Sequence, residues 1–236
     1  MVDFHNIGSG RIFILGSGPS LIDQLPLLEG LKGEVVFACN SLIKWDSLPF
    51  APTYYGITDI QEQRRVDLLA GLLSDETMAF NVRWPNTYNN PRFISVEKAH
   101  DSQQVRSAGF LGLHETEQPV FPTGRTSPIT LAQLAAWMGY REFYFLGIEQ
   151  THGYCYDPEA RIDDGGGSFV GDKNPRYSIA IKDCAKIMRA AIEGAGGSVH
   201  DCTPGGLLNV TGKGAPGHMV SAADILPYRD LREVLG

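Results

Sequence analysis

Two short segments have the residue types to hold an anion. Gly16-Ser17-Gly18-Pro19-Ser20 closes an apolar run and leads into a helix-patterned stretch. Glycines in such a turn let a phosphate approach backbone N–H groups, and the helix start favours negative charge. The competing reading is a tight turn with no ligand. Gly124-Arg125-Thr126-Ser127-Pro128 opens a second helix. A guanidinium and two hydroxyls there suit a phosphate or carboxylate, against a plain N-cap by Thr126 or Ser127 beside a solvated arginine. Neither segment is a P-loop, since no Gly-Lys-Ser/Thr follows. The first is a poor dinucleotide fingerprint: its third glycine is absent, and the second predicted strand ends in Asn40 and not in an acid.

A third candidate is the long stretch 149–176, which holds His152, Tyr154, Tyr156, Asp163, Asp164, Gly165 to Gly167 and Arg176. A connector this long in a compact domain reads as a lid over a site or as a disordered segment. His152, His200 and His218 lack ligand spacing. Asp163-Asp164 alone is too little for a metal pair, and no metalloprotease, calcium-loop or Gly-x-Ser-x-Gly pattern occurs.

The elements that must position these residues alternate between strand and helix. Arg11–Leu15, Glu34–Cys39, Thr53–Thr58, Thr77–Val82 and Glu142–Leu146 are short, largely apolar runs, the pattern of strands buried on both faces, and Ser198–Cys202 is a last strand. Helical periodicity covers Ser20–Leu31, Gln61–Leu73, Ser127–Met138 and Tyr177–Gly194, with a short final helix near Tyr228–Leu235. Residues 83–122 are irregular and rich in Asn, Pro and aromatics, suited to short pieces over one edge. The alternation predicts an α/β, Rossmann-like fold with a mostly parallel sheet flanked by helices. One domain is expected over residues 1–236, with a lid-like insertion at 149–176. Such sheets bind ligands at the carboxyl ends of their strands. That singles out the polar strand ends Ser17, Asn40, Asp59, Glu149 and Thr203.

The composition narrows the partners. The 236 residues include 20 Lys+Arg against 27 Asp+Glu, a formal charge of −7. An acidic chain without basic runs is a poor nucleic-acid or anionic-membrane binder. No apolar run reaches the length of a transmembrane segment, and the first residues show no apolar secretory core. Cys39, Cys155, Cys184 and Cys202 show no paired metal-ligand spacing. They read as reduced thiols of a cytoplasmic protein.

Several motifs occur in a telling order. They are Ile-Leu-Gly-Ser-Gly-Pro-Ser-Leu (14–21), Ala-Cys-Asn (38–40), Thr126-Ser127 followed by Gly-Tyr-Arg-Glu-Phe-Tyr-Phe-Leu-Gly-Ile-Glu (139–149), Gly-Tyr-Cys-Tyr-Asp (153–157), Asn-Pro-Arg-Tyr (174–177) and Cys-Thr-Pro-Gly-Gly-Leu-Leu (202–208). This series resembles the bacterial sialyltransferases of glycosyltransferase family 42. It is also similar to the related family of motility accessory factors and archaeal 6-hydroxymethylpterin diphosphokinase. The first resemblance implies a CMP-sugar-like donor held by Gly16, Ser17, Gly18, Pro19 and Asn40, with Thr58 or Asp59 ending the third strand nearby. Thr126 and Ser127 would contact the donor, with Arg125 one position away from the family's arginine. Tyr154 would assist the leaving phosphate, while Thr203, Gly205 and Leu207 would lie near base and ribose. No metal is implied. Self-association occurs among such enzymes.

One position departs from the pattern. The family's general base is a His directly before the Tyr of the motif at 174–177, and Arg176 stands there. A guanidinium stays protonated and cannot take a proton from an acceptor. His152 or an acid such as Asp157 must take over, or the reaction differs, and Arg176 suits a clamp on a phosphate or carboxylate. The leading expectation is metal-independent transfer of a sugar from a nucleotide donor to a carbohydrate acceptor, with His152, Tyr154 and Arg176 at the chemistry. The alternatives are a Mg²⁺-dependent pyrophosphoryl transfer from ATP to a pterin-like alcohol, and a non-catalytic nucleotide- or sugar-binding module.

Overall fold

The computed structural model describes residues 4–59, 63, 65–83, 90–99, 104–113, 120–149, 154–157, 175–204, 208 and 225–236. Seven parallel strands form one sheet: β1 (Arg11–Leu15), β2 (Val36–Cys39), β3 (Tyr54–Ile57), β4 (Met78–Arg83), β5 (Phe93–Glu97), β6 (Glu142–Leu146) and β7 (Ser198–Asp201). Their spatial order is β5-β4-β3-β2-β1-β6-β7. The chain works outward from β1 to β5, then returns to lay β6 on the other side of β1. The order therefore reverses between β1 and β6, where an open α/β sheet leaves a crevice at its carboxyl edge. This is the predicted α/β, Rossmann-like arrangement.

Alternate residues of β1 to β4 and β6 feed two cores, one on each face. Ile12, Ile14, Phe37, Phe80, Phe143 and Phe145 pack beneath α4 (Ser127–Trp137) and α5 (Pro175–Gly194), with Leu131, Leu134, Ile181 and Met188 opposite them. Phe13, Leu15, Val36, Ala38, Tyr144 and Leu146 face the other way, toward Leu21 and Leu28 of α1 (Ser20–Leu28), Val66 and Leu69 of α2 (Val66–Leu72) and Leu231 of α6 (Leu231–Leu235). Burial on both faces is why these strands read as unbroken apolar runs. Helix α4 is buried from Pro128 to Trp137, and its buried polar residues Thr130 and Gln133 are hydrogen-bonded, so it is a core helix and not an amphipathic one.

The irregular region holds an additional strand. β5 pairs with β4 in register Ala79↔Phe93 through Arg83↔Glu97 and forms one edge of the sheet. Its burial is fullest at Phe93, while Ser95 and Glu97 are exposed, so it lacks the continuous run that marked its neighbours. A short helix, α3 (Val105–Ala108), follows it. The segment 120–123 then runs parallel past the end of β5, with Phe121 bridged to Lys98 and Thr123 to Gln104, and delivers the chain to the start of α4.

Candidate functional site at the carboxyl edge of the sheet

Helices α1 and α4 both begin at the carboxyl edge. At the α4 start, Asn40 follows β2, Thr58 follows β3, and Ser127 is the first residue of the helix. Thr58 N donates to Asn40 Oδ1 (3.1 Å), which turns the Asn40 amide nitrogen toward Ser127. Asn40 Nδ2 and Thr58 Oγ1 then both donate to Ser127 Oγ, each at 2.6 Å. A hydroxyl has two acceptor lone pairs and one proton. With Ser127 Oγ accepting both, its own proton remains for a further acceptor, and Ser127 is half-buried.

The backbone is bent to build this corner. Asn40 has φ +49° and Arg125 φ +63°. Asn visits the left-handed region readily, whereas an arginine there is strained, and such strain gathers at functional sites. Tyr55 OH donates to the Asn40 carbonyl and fixes the turn after β2. Arg125 N donates to Thr123 Oγ1 (3.3 Å), and Thr126 stands at the N-cap without a side-chain capping bond. Lys98, beyond β5, donates from Nζ to the Thr58 carbonyl at 3.2 Å and brings a cation beside the network. Asp59 is exposed next to Thr58, and its carbonyl accepts from Gln63 N at 3.0 Å.

The α1 start is finished differently. Gly16 N donates to Leu146 O and Gly18 N to Gly147 O, both at 2.8 Å, so the turn after β1 lies flat on the turn after β6. Gly147 takes φ +65°, a conformation suited to glycine. Two residues on, Glu149 is buried, and its Oε1 accepts from Ser20 N, the first amide of α1. Among the described residues its Oε2 has no hydrogen-bond partner, and a Cβ on Gly18 would run into that oxygen. Burial pushes the Glu149 carboxyl above its ordinary value; Ser20 beside it pulls the other way, and Asp23 adds a smaller upward push. Gly18 is therefore a glycine because a carboxylate lies against its Cα.

The Tyr154–Asp157 segment docks on the same turn. Cys155 N donates to Ser17 O at 2.9 Å, Tyr154 and Asp157 exchange backbone bonds of 3.0 and 3.1 Å, and the Tyr154 and Tyr156 rings stack at 5.1 Å with 4° between planes. Burial raises the thiols of Cys39, Cys155 and Cys202 to about 12, so none is a ready thiolate. All four cysteines are buried and free. Thr203 is fully buried, and its Oγ1 accepts from Ile148 N at 3.2 Å, tying the end of β7 to the turn after β6.

The residues singled out in the sequence thus fall into two adjoining groups. Asn40, Asp59, Arg125, Thr126 and Ser127 line the β2–β3 side. Gly16, Ser17, Gly18, Pro19, Tyr154 and Thr203 line the β1–β6–β7 side. Arg176 belongs to the first turn of α5, and its side chain is outside the described residues, as are His152, Gly205, Asp163, Asp164 and most of 149–176. Sequence reasoning missed Lys98, which sat in a region without a strand assignment, and the inward turn of Glu149. Among the described residues no three His, Cys, Asp or Glu side chains group as a metal site, and no helix is long and apolar enough to cross a membrane.

No protein-family model and no curated protein sequence matches the chain. A solved structure does: the sialyltransferase CST-II in complex with a trisaccharide acceptor and CMP, 14% identical, covering 89% of this chain and 89% of that one, with a TM-score of 0.50. At that identity the likeness speaks for the fold, and the fold of this chain is sialyltransferase-like.

Proposed function

We propose that this chain is a nucleotide-sugar-dependent glycosyltransferase, with a nucleotide held along the carboxyl edge between the two helix starts. The observation that supports this best is the Asn40–Thr58–Ser127 network, which fixes a serine hydroxyl at the start of an eleven-residue helix with both its lone pairs engaged. A donor fixed before the ligand arrives suits a charge that grows during reaction, because little reorganisation is then needed. The departing nucleoside phosphate is that charge. The fold likeness to a sialyltransferase solved with CMP and a trisaccharide acceptor supports the same reading.

In the proposed reaction the bond between the sugar's anomeric carbon and the phosphate oxygen breaks, and the acceptor oxygen bonds to that carbon. The acceptor's proton passes to a base, and the electron pair leaves with the phosphate. Ser127, Thr126 and Arg125 meet the phosphate, aided by Tyr154. Gly16 to Pro19 wall the nucleoside, with Asn40 and Asp59 on one flank and Thr203 and Gly205 on the other. His152 or Asp157 serves as the base, since Arg176 cannot, and Arg176 clamps an anionic group. The donor is CMP-sugar-like and the acceptor a carbohydrate.

Titration with cytidine and uridine nucleotides, followed by assays with their sugar conjugates, tests the proposal. Saturable binding and transfer to a carbohydrate acceptor without added metal are expected. No binding of any of these nucleotides at millimolar concentration would sink it.

A further inference from the structure

The turn that reads most readily as a phosphate cradle already contains an anion of the protein's own. Ser20 N, the first amide of α1, donates to Glu149 Oε1 across 129 positions of sequence. Pro19, at the N-cap, supplies no side-chain cap, so the carboxylate supplies it. Gly18 lies against the other oxygen, and Gly18 N is committed to Gly147 O. The same turn is held on its far side by Cys155 N on Ser17 O. Residues 147, 149 and 155 therefore grip three successive parts of the turn, at Gly18, Ser20 and Ser17.

A carboxylate at a helix start is favoured by the aligned peptide dipoles and by the N–H it receives. The same charge repels a second anion arriving at that point. Glu149 is 6% exposed, so the repulsion acts through protein and is only weakly screened by salt.

We propose that Glu149 is a positioning residue of the site: its carboxylate closes the N-terminal end of α1 and fixes the Gly16–Ser20 turn, on which Tyr154–Asp157 docks through Cys155 N, so that the turn is a preformed wall and the ligand's phosphate is received elsewhere. The fixing of the turn stands on geometry alone. Its consequence for a ligand rests on the transferase reading. Under that reading the phosphate goes to the α4 start, where the side chains that meet, Asn40, Thr58 and Ser127, are neutral.

Amide hydrogen exchange by NMR on the ligand-free protein, with Glu149→Gln and Glu149→Ala beside it, tests the first part. Gln keeps an acceptor for Ser20 N, and Ala removes it. The Ser20 amide should exchange at least tenfold faster in Glu149→Ala than in the parent, with Glu149→Gln restored to within about threefold, while amides of β1 and β6 stay unchanged. Equal protection of Ser20 in all three proteins would overturn the proposal. So would Glu149→Gln behaving like Glu149→Ala. If Glu149→Ala does not fold, Glu149→Asp, whose side chain is too short to hold the same contact, takes its place.

CMP titration of the same proteins tests the consequence. The dissociation constant should rise at least tenfold in Glu149→Ala and recover in Glu149→Gln. Binding that tightens in Glu149→Gln by tenfold or more would mean that the phosphate does come to the α1 start, and would overturn that part. Absence of CMP binding to the parent protein defeats the transferase reading and leaves the exchange result to decide the role of Glu149.

Discussion

Helices α1 and α4 start at the same edge of one sheet, and their first turns are completed in opposite ways. At α1 the first amide is met by Glu149, an acid brought in from the neighbouring strand end and buried there. At α4 the neighbouring strand ends bring Asn40 and Thr58, which are neutral and both donate to Ser127 Oγ. One end receives an acid of the protein's own; at the other the strand ends bring neutral side chains. A glycine-rich turn and a helix start are thus insufficient to identify an anion site. What stands at the first amide decides.

The largest expected effect breaks the closed end. In Gly18→Ala the new methyl meets Glu149 Oε2 and lies 2.8 Å from Gly147 O, and both belong to buried structure. Overpacking of this kind costs about 2–3 kcal/mol, a fall in Tm of about 5–10 °C for a chain of this size. Because one obstacle is the carboxylate, the loss should shrink when Gly18→Ala is made in a Glu149→Ala background. Calorimetry on the four proteins of that cycle checks it. Strict additivity would show that Glu149 does not press on Gly18, and the contrast between the two helix starts would lose its structural basis.

The open end is broken by Ser127→Ala. It removes the hydroxyl and strands Asn40 Nδ2 and Thr58 Oγ1 without their acceptor. Loss of a hydrogen bond to a charged phosphate is worth about 1.5–3 kcal/mol, so CMP should bind at least tenfold more weakly, whereas Ser127→Thr, which keeps a hydroxyl, should lose less. An unchanged dissociation constant in Ser127→Ala would remove Ser127 from the ligand's path.

A smaller effect separates the backbone from the side chain at Asn40. Asn40→Gly and Asn40→Ala lose the same two side-chain bonds, but φ +49° penalises only the alanine. Alanine should be the less stable by about 1 kcal/mol by thermal unfolding. Equal stabilities would mean that the turn after β2 relaxes when the side chain goes.

The sequence made the scaffold readable and left the contrast hidden, for reasons that lie in range. Strands β1 to β4 and β6 are buried on both faces and show as largely apolar runs, so a parallel sheet and its ligand edge could be inferred from short windows, with the half-buried edge strand β7 closing the series. β5 is half exposed, and its alternation was lost among Asn and Pro. The α4 start was visible in Gly124 to Pro128 because its chemistry is local. The partners were not: Asn40 lies 87 positions from Ser127, and Glu149 lies 129 from Ser20. Those pairings depend on β1 to β3 and β6 lying side by side, which no local pattern encodes. Gly18 was readable as a glycine required by close approach, but what approaches is a side chain of the chain itself.

The closed end is closed by a group that titrates, and its pH dependence has a definite sign. Burial raises the Glu149 carboxyl above its ordinary 4.5, with Asp23 adding to the rise and the Ser20 contacts opposing it. A carboxyl with a raised folded pKa binds its proton more readily in the folded state. Its favourable contribution is therefore complete below about pH 4.5 and is lost as pH rises through the folded value. Glutamine at the same place is neutral throughout. The stability of the parent relative to Glu149→Gln should consequently improve as pH falls from 8 toward 4.5, with other acids cancelling in the difference because both proteins share them. Denaturant unfolding of the pair across that range measures it. A flat difference would mean that the carboxylate meets enough hydrogen-bond donors to offset its burial; the α1 start would then be as well supplied with donors as the α4 start, and the two ends would differ in charge alone.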